Sequence, residues 1–540
     1  MDKKFNLKSL PRFVTFMMVA YLSYFTTDIL VSKVFKNKSE NKVINQKKPV
    51  TKIDEPYASG DYKPIENNKI SGKVFKKGAI ISEVSLKDYK KTIDSESLIQ
   101  TIPKSSFFRA YWDLEGNTQA PNKNTEWSME NSLSSKQPSV MTWKNKTGDI
   151  FVQNSQIIDD YLIKFEYSMF NSKKEENIEG NLKVELKSKD FSYVSGIDQK
   201  IRRSNRSRTD NGYGWAGLEK DYWCSIIHSS QPVSVDYNKD KSNLTLTFPN
   251  IKLSPNTSQT ASFYLFTGPK KLEMLEQYKK QYNIGKMDDV IHFGVMKSLK
   301  KLIMKSLLFI SKKLNNSMVF ASFVLSTLFV LVFSPLSYKS YMSIKKIKKL
   351  KPKLDRLSEI YGEDKVSIQK ETLSLYRKEN INPFGNILPM IIQILVLFSF
   401  STVWSIIIEP RHQAFLWIKD LTSSDPTSIT NLFGLLPFDL ANGIQYLFDK
   451  VWIPFSYILG NVSIDITKFF KIGILPIISS SLILLQTPGE DSSESANNRK
   501  VMIFILSLFF LSNVSAMLMI HTIWYFFLTF IQNKIFKHIS

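Results

Sequence analysis

A polytopic α-helical membrane protein carrying a large all-β domain is the fold class that this 540-residue sequence predicts. Three observations predict it. Several apolar runs are each long enough to cross a bilayer, a lysine-rich helical stretch lies between two of them, and the polar N-terminal half alternates apolar and polar residues with period two. The slightly negative mean hydropathy averages over these halves and describes neither.

The first apolar run, about Phe13 to Val31, follows Lys3, Lys4, Lys8 and Arg12. That charge order is similar to a signal peptide, but the run is long and no small-x-small cleavage site follows it. Residues 1–36 are therefore expected to form a cytoplasmic N-terminus and an uncleaved anchor. Lys33 and Lys36 beyond the run argue for the reverse orientation, which a long translocated domain overrides. Residues 37–66, rich in Lys, Asn, Ser and Pro, read as a linker.

Residues 67–285 are expected to form a β-sandwich. Leu182, Val184 and Leu186 alternate in one run and Leu244, Leu246 and Phe248 in another, with Val74, Ile80, Val84 and Leu86 near the start. Such runs, separated by Asn, Gly, Asp and Ser clusters, indicate more than a dozen antiparallel strands. Gly212, Gly214 and Gly217 satisfy G-x-G-x-x-G, but no buried strand precedes them and no helix pattern follows, so a dinucleotide site is rejected. The basic group Arg202, Arg203, Arg206 and Arg208 reads as a solvated loop.

From Asp288 to Lys313 the pattern turns helical, with Ile291, Val295, Leu299, Leu302, Ile303, Leu307 and Ile310 on one stripe; residues 286–314 are expected to form an amphipathic interfacial helix. Residues 315–540 contain the remaining spans, at about 317–338, 387–408, 468–486, 500–513 and 515–533. The last two come from Val501 to Ile531, which as one helix would be about 47 Å long against a hydrocarbon core of about 30 Å. Ser512, Asn513 and Ser515 mark the break. With the anchor this makes six transmembrane helices and returns Lys534 and Lys537 to the cytoplasm.

Residues 339–382 carry Lys345, Lys346, Lys348, Lys349, Lys353 and Arg356 together with Asp364, on a stripe of Ile344, Ile347, Leu350, Leu354, Leu357 and Ile360. A second stripe begins after Gly362. This is expected to be a cytoplasmic helical hairpin, since basic loops stay inside; two roles are open for it, a purely topogenic stop-transfer block or partner binding, the latter because a topogenic block needs no second helix. The named charged residues are the candidate partner contacts.

The formal charge of +23 is spread over the chain as well as concentrated here, so no specific nucleic acid is expected. Cys224 is the only cysteine, which excludes an intramolecular disulfide and a cysteine-based zinc cluster. No zinc-protease pair, nucleophile elbow or P-loop is present, so no catalytic residue, metal or cofactor is expected. A transporter would show facing repeats and charged midplane residues, which are lacking. A membrane-anchored receptor or assembly scaffold with a β-sandwich sensor accounts for the outer domain but not for the hairpin.

Several motifs occur together and in order. They are Gly214-Trp-Ala-Gly217 with Asp221-Tyr-Trp223, Pro335-Leu336, Leu350-Lys-Pro-Lys353, Gly362-Glu-Asp-Lys365, Asn382-Pro-Phe-Gly385, Leu388-Pro389, Gln393, Glu409, Arg411, Gln413, Leu416-Trp-Ile418, Asp420-Leu421 and Asp425-Pro426. On these the chain resembles the YidC/Oxa/Alb family of membrane insertases along nearly its whole length, in its Gram-negative type with a large periplasmic domain; Asn431-Leu-Phe-Gly-Leu-Leu-Pro437 fits that type.

The resemblance implies a bacterial inner-membrane protein whose five-helix core forms a hydrophilic groove open to cytoplasm and lipid. It implies non-covalent insertion and folding of nascent membrane proteins, alone or with the Sec translocon, and hairpin contacts to ribosome and signal-recognition components. By the same resemblance the groove is expected at Ser326, Thr327, Val330, Gln393, Phe509, His521 and Tyr525, with Ser322, Thr402, Ser405 and Gln532 as further polar lining. The family's groove arginine aligns with Val330, and His521 replaces a family tyrosine. Two roles are open for His521: supplying positive character to the groove, or acting as a neutral bundle histidine bonded to a neighbour.

Overall fold

The computed structural model describes residues 60–115, 119–172, 177–379, 387–436, 438–441, 443–447, 472–486 and 494–540. The expected N-terminal anchor, most of the linker and the start of the fourth expected span lie outside these residues. The chain divides into two compact units, one essentially residues 50–295 and the other beginning at Met296.

The first unit is β-rich, with seventeen hydrogen-bonded strands from Tyr62–Glu66 to Ser258–Pro269. The two alternating runs pair with each other directly: Leu182 lies opposite Phe248, Val184 opposite Leu246 and Leu186 opposite Leu244. All six side chains are buried. Phe108 and Phe248 from this layer meet Phe263 of the facing layer, with ring centroids 6.1 and 5.8 Å apart, and Phe165 stacks on Phe263 at 5.5 Å. Apolar alternation on both inner faces thus builds a sandwich core.

The strand Trp223–Asn238 joins the layers. Its first half pairs with Tyr264–Pro269 and its second half with Asn243–Thr247. It turns this corner opposite a bulge between Gly212 and Gly214. A Cβ on Gly214 would sit 2.1 Å from the Gly196 carbonyl oxygen, so only glycine fits there. Gly212, Gly214 and Gly217 all lie in the strand Arg208–Lys220, and no helix follows.

The arginine group differs in part from the solvated loop read from sequence. Arg203 pairs with Glu219 at 2.9 Å and donates to the carbonyls of Asp289 and Val290 at 2.7 Å, while Arg202 and Arg208 pair with the buried Asp210. Buried carboxylates drew Arg202 and Arg203 partly inward, while Arg206 and Arg208 remain exposed, as the sequence reading has them.

His228 is buried beside Tyr264, and its Nδ1 lies 3.0 Å from the Gly214 carbonyl. Desolvation pushes its pKa below the ordinary histidine value, so the folded domain keeps the ring neutral while the unfolded chain binds a proton near pH 6.5. Its stabilising contribution is complete above that unfolded value and is lost as the pH falls. Thermal melts of wild type and His228→Gln from roughly pH 7 to pH 5 should show a shallower acid-side decline in the variant; parallel declines would refute the assignment.

The second unit is helical. Its helices are α2 (Lys297–Lys313), α3 (Met318–Lys349), α4 (Lys351–Tyr361), α5 (Lys365–Lys378), α6 (Ile387–Ile406), α7 (Ile474–Gln486), α8 (Glu494–Leu511) and α9 (Ala516–Ile539), numbered after α1 (Leu272–Gln281) at the end of the first unit. Among the described residues α3 alone is long and apolar enough to cross a membrane outright. Ile391–Ile406, Ile474–Gln486 and Lys500–Leu511 are shorter apolar helical stretches.

Three details depart from the sequence reading. The second expected span and the first part of the hairpin are one continuous helix, α3, with Pro335 inside it; the break falls at Leu350, just before Pro352 in the first turn of α4. The helix at the end of the first domain starts at Lys297, because Met287–Val290 forms a 3-10 turn instead. The buried stripe of α2 is Lys300, Ile303, Met304, Leu307, Leu308 and Ser311, so Leu302 is exposed and Lys300 is buried. The Lys300 ammonium lies 4.6 Å from the centre of the Phe398 ring, a contact that partly offsets its desolvation.

Candidate functional site

The helical unit is organised in layers along α3, α6 and α9. The outermost layer is a polar cap made by the segment between α6 and α7. Gln413 accepts from the Met318 amide at 3.1 Å and donates to the Asn316 carbonyl at 2.9 Å, which fixes the N-terminus of α3. The Ser423 and Leu421 carbonyls accept from the Ala516 and Met517 amides at 2.7 and 2.9 Å, capping α9. Thr427 Oγ1 and Asp425 Oδ2 accept from Ile474 and Leu475 at 3.0 and 2.8 Å, capping α7. Orphan amides at helix N-termini need acceptors, and here one loop supplies them to three helices.

Asp425 is the hub. Its other oxygen accepts from Trp417 Nε1 at 3.1 Å and from the Thr427 amide and hydroxyl at 3.0 and 2.7 Å. A Cβ on Gly473 would lie 2.6 Å from the Thr427 carbonyl oxygen, so the loop rests directly on the chain entering α7.

The next layer contains His521. Ser322 and Ser326, one turn apart on α3, face its Nδ1 at 2.9 and 3.1 Å, and Phe400 stacks on the ring at 4.3 Å. Ser326 donates its proton to the Ser322 carbonyl at 2.7 Å, leaving its lone pairs for an Nδ1–H. All three polar residues are at most 1% exposed. The ring thus has hydrogen-bond partners inside the bundle. Just below, Thr327 donates to the Phe323 carbonyl at 2.7 Å and accepts from Trp524 Nε1 at 3.2 Å.

A recess follows, about 18 Å along α3 from the cap at 1.5 Å per residue. Its walls are Phe329, Val330, Phe333 and Ser337 on α3, Ile392, Gln393 and Val396 on α6, and Tyr525, Thr529 and Gln532 on α9. Its free volume is about 20 Å³, room for about one water. Gln532 reaches toward the Val330 carbonyl at 3.4 Å, and Thr529 donates to Gln486 of α7 at 3.1 Å. Val330, Gln393 and Tyr525 are thus together in one recess. Ser326 and His521 lie in the layer above, Thr327 bonds to Trp524, and Phe509, 40% exposed on α8, is not part of the recess wall.

The hairpin forms the opposite end. Asp364 caps α5 by accepting from the Val366 and Ser367 amides at 3.1 Å, and Lys353 pairs with Glu379 at 2.9 Å. Leu350 and Tyr376 form a small core with Ile347, Leu354 and Leu375. Lys346, Lys348, Lys349, Lys353 and Arg356 are exposed, and Lys345 donates to the Ser540 carbonyl oxygen at 2.8 Å.

The cap residues have the clearest geometry in this unit, and sequence reasoning gave them no role. Gln413 and Asp425 stood out only as polar matches to a family pattern; no local signal marks them, because the amides they accept from lie 95 and 50 residues away in sequence.

Two family models account for both parts of the chain. The YidC periplasmic domain matches residues 63–306, and the 60Kd inner membrane protein family matches residues 309–540. The chain belongs to the YidC family of membrane protein insertases. It is 29% identical over 511 residues to the membrane protein insertase YidC of Rickettsia akari (strain Hartford), covering 87% of this chain and 86% of that one. With the YidC of Rickettsia typhi (strain ATCC VR-144 / Wilmington) it shares 28% identity over 414 residues, 69% of this chain and 73% of the other. Among solved structures, an active YidC insertase crystal structure with the first transmembrane domain resolved aligns over 88% of this chain and 94% of its own, at 11% identity and a TM-score of 0.35. A galactose mutarotase related enzyme from Lactobacillus acidophilus aligns over 38% of this chain and 97% of its own, at 14% identity and a TM-score of 0.28. Family members are inner-membrane proteins with a periplasmic domain, and the two units of this chain are its helical core and that domain.

Proposed function

We propose that this chain inserts and folds inner-membrane proteins at the recess between α3, α6 and α9, without covalent chemistry. The observation that carries the site is the asymmetry of the bundle: polar caps seal three helix N-termini at one end, while Ser337, Gln393, Thr529 and Gln532 gather in the half nearer the hairpin. Carrying an unpaired polar group across hydrocarbon costs several kcal/mol. Ser337, Gln393, Thr529 and Gln532 in the otherwise apolar wall of a cytoplasmic-side recess give such a group partners and shorten that barrier, and the incoming apolar helix then leaves into lipid. At rest the recess has room for about one water, so an incoming chain must part α3 from α6 or α9 to enter it.

The topology in this proposal has six spans, both termini in the cytoplasm and the β-rich unit in the periplasm. The exposed lysines of α4 and the end of α3 support a cytoplasmic hairpin. The hairpin serves ribosome and signal-recognition components, and the core works alone or beside the Sec translocon. Depleting the protein and surveying which inner-membrane proteins fail to integrate tests the function; a receptor or scaffold would leave integration untouched. Deleting Lys345 to Tyr376 with the spans preserved should severely reduce insertion, and full complementation by that deletion would show the hairpin to be a topogenic loop only.

A further inference from the structure

The segment beyond the cap has its polarity inside out. Among its described residues, Leu432, Phe433, Leu435, Phe438 and Leu440 are 53, 41, 85, 59 and 52% exposed. Its polar side chains point inward and satisfy one another. Ser428 and Asn431 form a reciprocal capping box, Asn431 Oδ1 also accepts from the Gly434 amide at 2.8 Å, and Asp439 accepts from Ser428 and Thr430 at 3.1 and 2.5 Å. Leu432 and Phe433 are both in the left-handed region, at φ +50° and +56°. Bulky residues adopt that conformation at a cost of about 1 kcal/mol or more each. The polar box holds them there and directs their side chains outward.

A loop facing water turns its polar groups out and its apolar groups in. The reverse arrangement fits hydrocarbon, and its position says which hydrocarbon. The segment follows Thr427, which caps α7, so it is fixed at the outer end of an apolar helix whose own Ile478 is 39% exposed. The exposed apolar residues of the loop are therefore tethered to the N-terminus of α7, one turn from which Ile478 is also exposed. We propose that Leu432, Phe433, Leu435, Phe438 and Leu440 form a wedge embedded in the acyl region of the outer leaflet, where an apolar face sinks about 5–10 Å below the headgroups. The wedge rests on the reading of the helical unit as membrane-spanning, and the test below separates the two.

Because Cys224 is the only cysteine, Cys224→Ser gives a background for single thiol labels. In the full chain reconstituted in phosphatidylethanolamine/phosphatidylglycerol vesicles, an environment-sensitive fluorophore is attached at Leu435→Cys, at Leu331→Cys on the exposed apolar face of α3, or at Lys365→Cys on the hairpin. Doxyl groups on the acyl chains should quench the first two labels strongly, with iodide quenching several-fold weaker than at Lys365→Cys. Lipid quenching at Leu331→Cys combined with iodide quenching at Leu435→Cys would overturn the wedge and leave the membrane reading intact. Iodide quenching at both would overturn the membrane reading itself. Protection of Leu435→Cys from both quenchers would mean that protein covers the loop, which also overturns the wedge.

Discussion

Replacing Asp425 with alanine should destabilise the helical unit by about 3 kcal/mol or more, because buried donors lose a charged acceptor at once. Trp417 Nε1, the Thr427 amide and hydroxyl, and the Leu475 amide all converge on this one carboxylate, which is 6% exposed. Alanine leaves them desolvated and strips the α7 N-terminus of its cap. Asn keeps the shape and accepts with one oxygen, so Asp425→Asn should lose about 1 kcal/mol. Thermal unfolding of the purified chain in detergent measures both, and a melting temperature unchanged in Asp425→Ala would refute the cap. Insertion by the variant should fall as well, since α3, α7 and α9 are all tied to this loop.

His521→Arg should be the most damaging single change in the span region, and His521→Phe among the mildest. Arginine at that depth brings a permanent charge into a layer made of Ser322, Ser326 and Phe400, at a cost of about 3 kcal/mol. Phenylalanine loses the hydrogen bonds to the serines, about 1 kcal/mol, but Ser326 keeps its bond to the Ser322 carbonyl. The expected outcome is a large drop in the steady-state level of His521→Arg, with near-normal insertion per molecule in His521→Phe. If His521→Phe instead inserted poorly while remaining at normal level, His521 would have a direct part in handling substrate.

Much of the architecture was legible because it depends on short-range patterns. Alternation around Val184 and Leu246 announced strands, and those two residues pair across the sheet. The lysine-rich stripe before Gly362 announced a helix and a turn. What escaped was set by contacts distant in sequence. The stripe on α2 is rotated by one position because Lys300 docks on Phe398, almost a hundred residues later, which no local periodicity reveals. Arg203 looked solvated until Glu219 and the carbonyls near Asp289 came beside it. At the candidate site, of the residues named from the family resemblance, Val330, Gln393 and Tyr525 share one recess. Which layer each residue occupies was not legible, because Ser326 and Val330 are one turn apart on the same face of α3 and differ only in what α6 and α9 set against them.

The continuity of α3 has a geometric consequence. Its 32 residues make a helix of about 48 Å, longer than a hydrocarbon core of about 30 Å by more than half. One tip is pinned by Gln413, and the other merges with the basic hairpin without an intervening loop. A single helix thus links the capped end of the bundle to the lysine-rich end. Pro335, lacking the amide that would stiffen this stretch, sits beside Ser337 at the lower lip of the recess. The helix that carries the basic residues is therefore the same one that supplies Phe329, Val330, Phe333 and Ser337 to the recess wall.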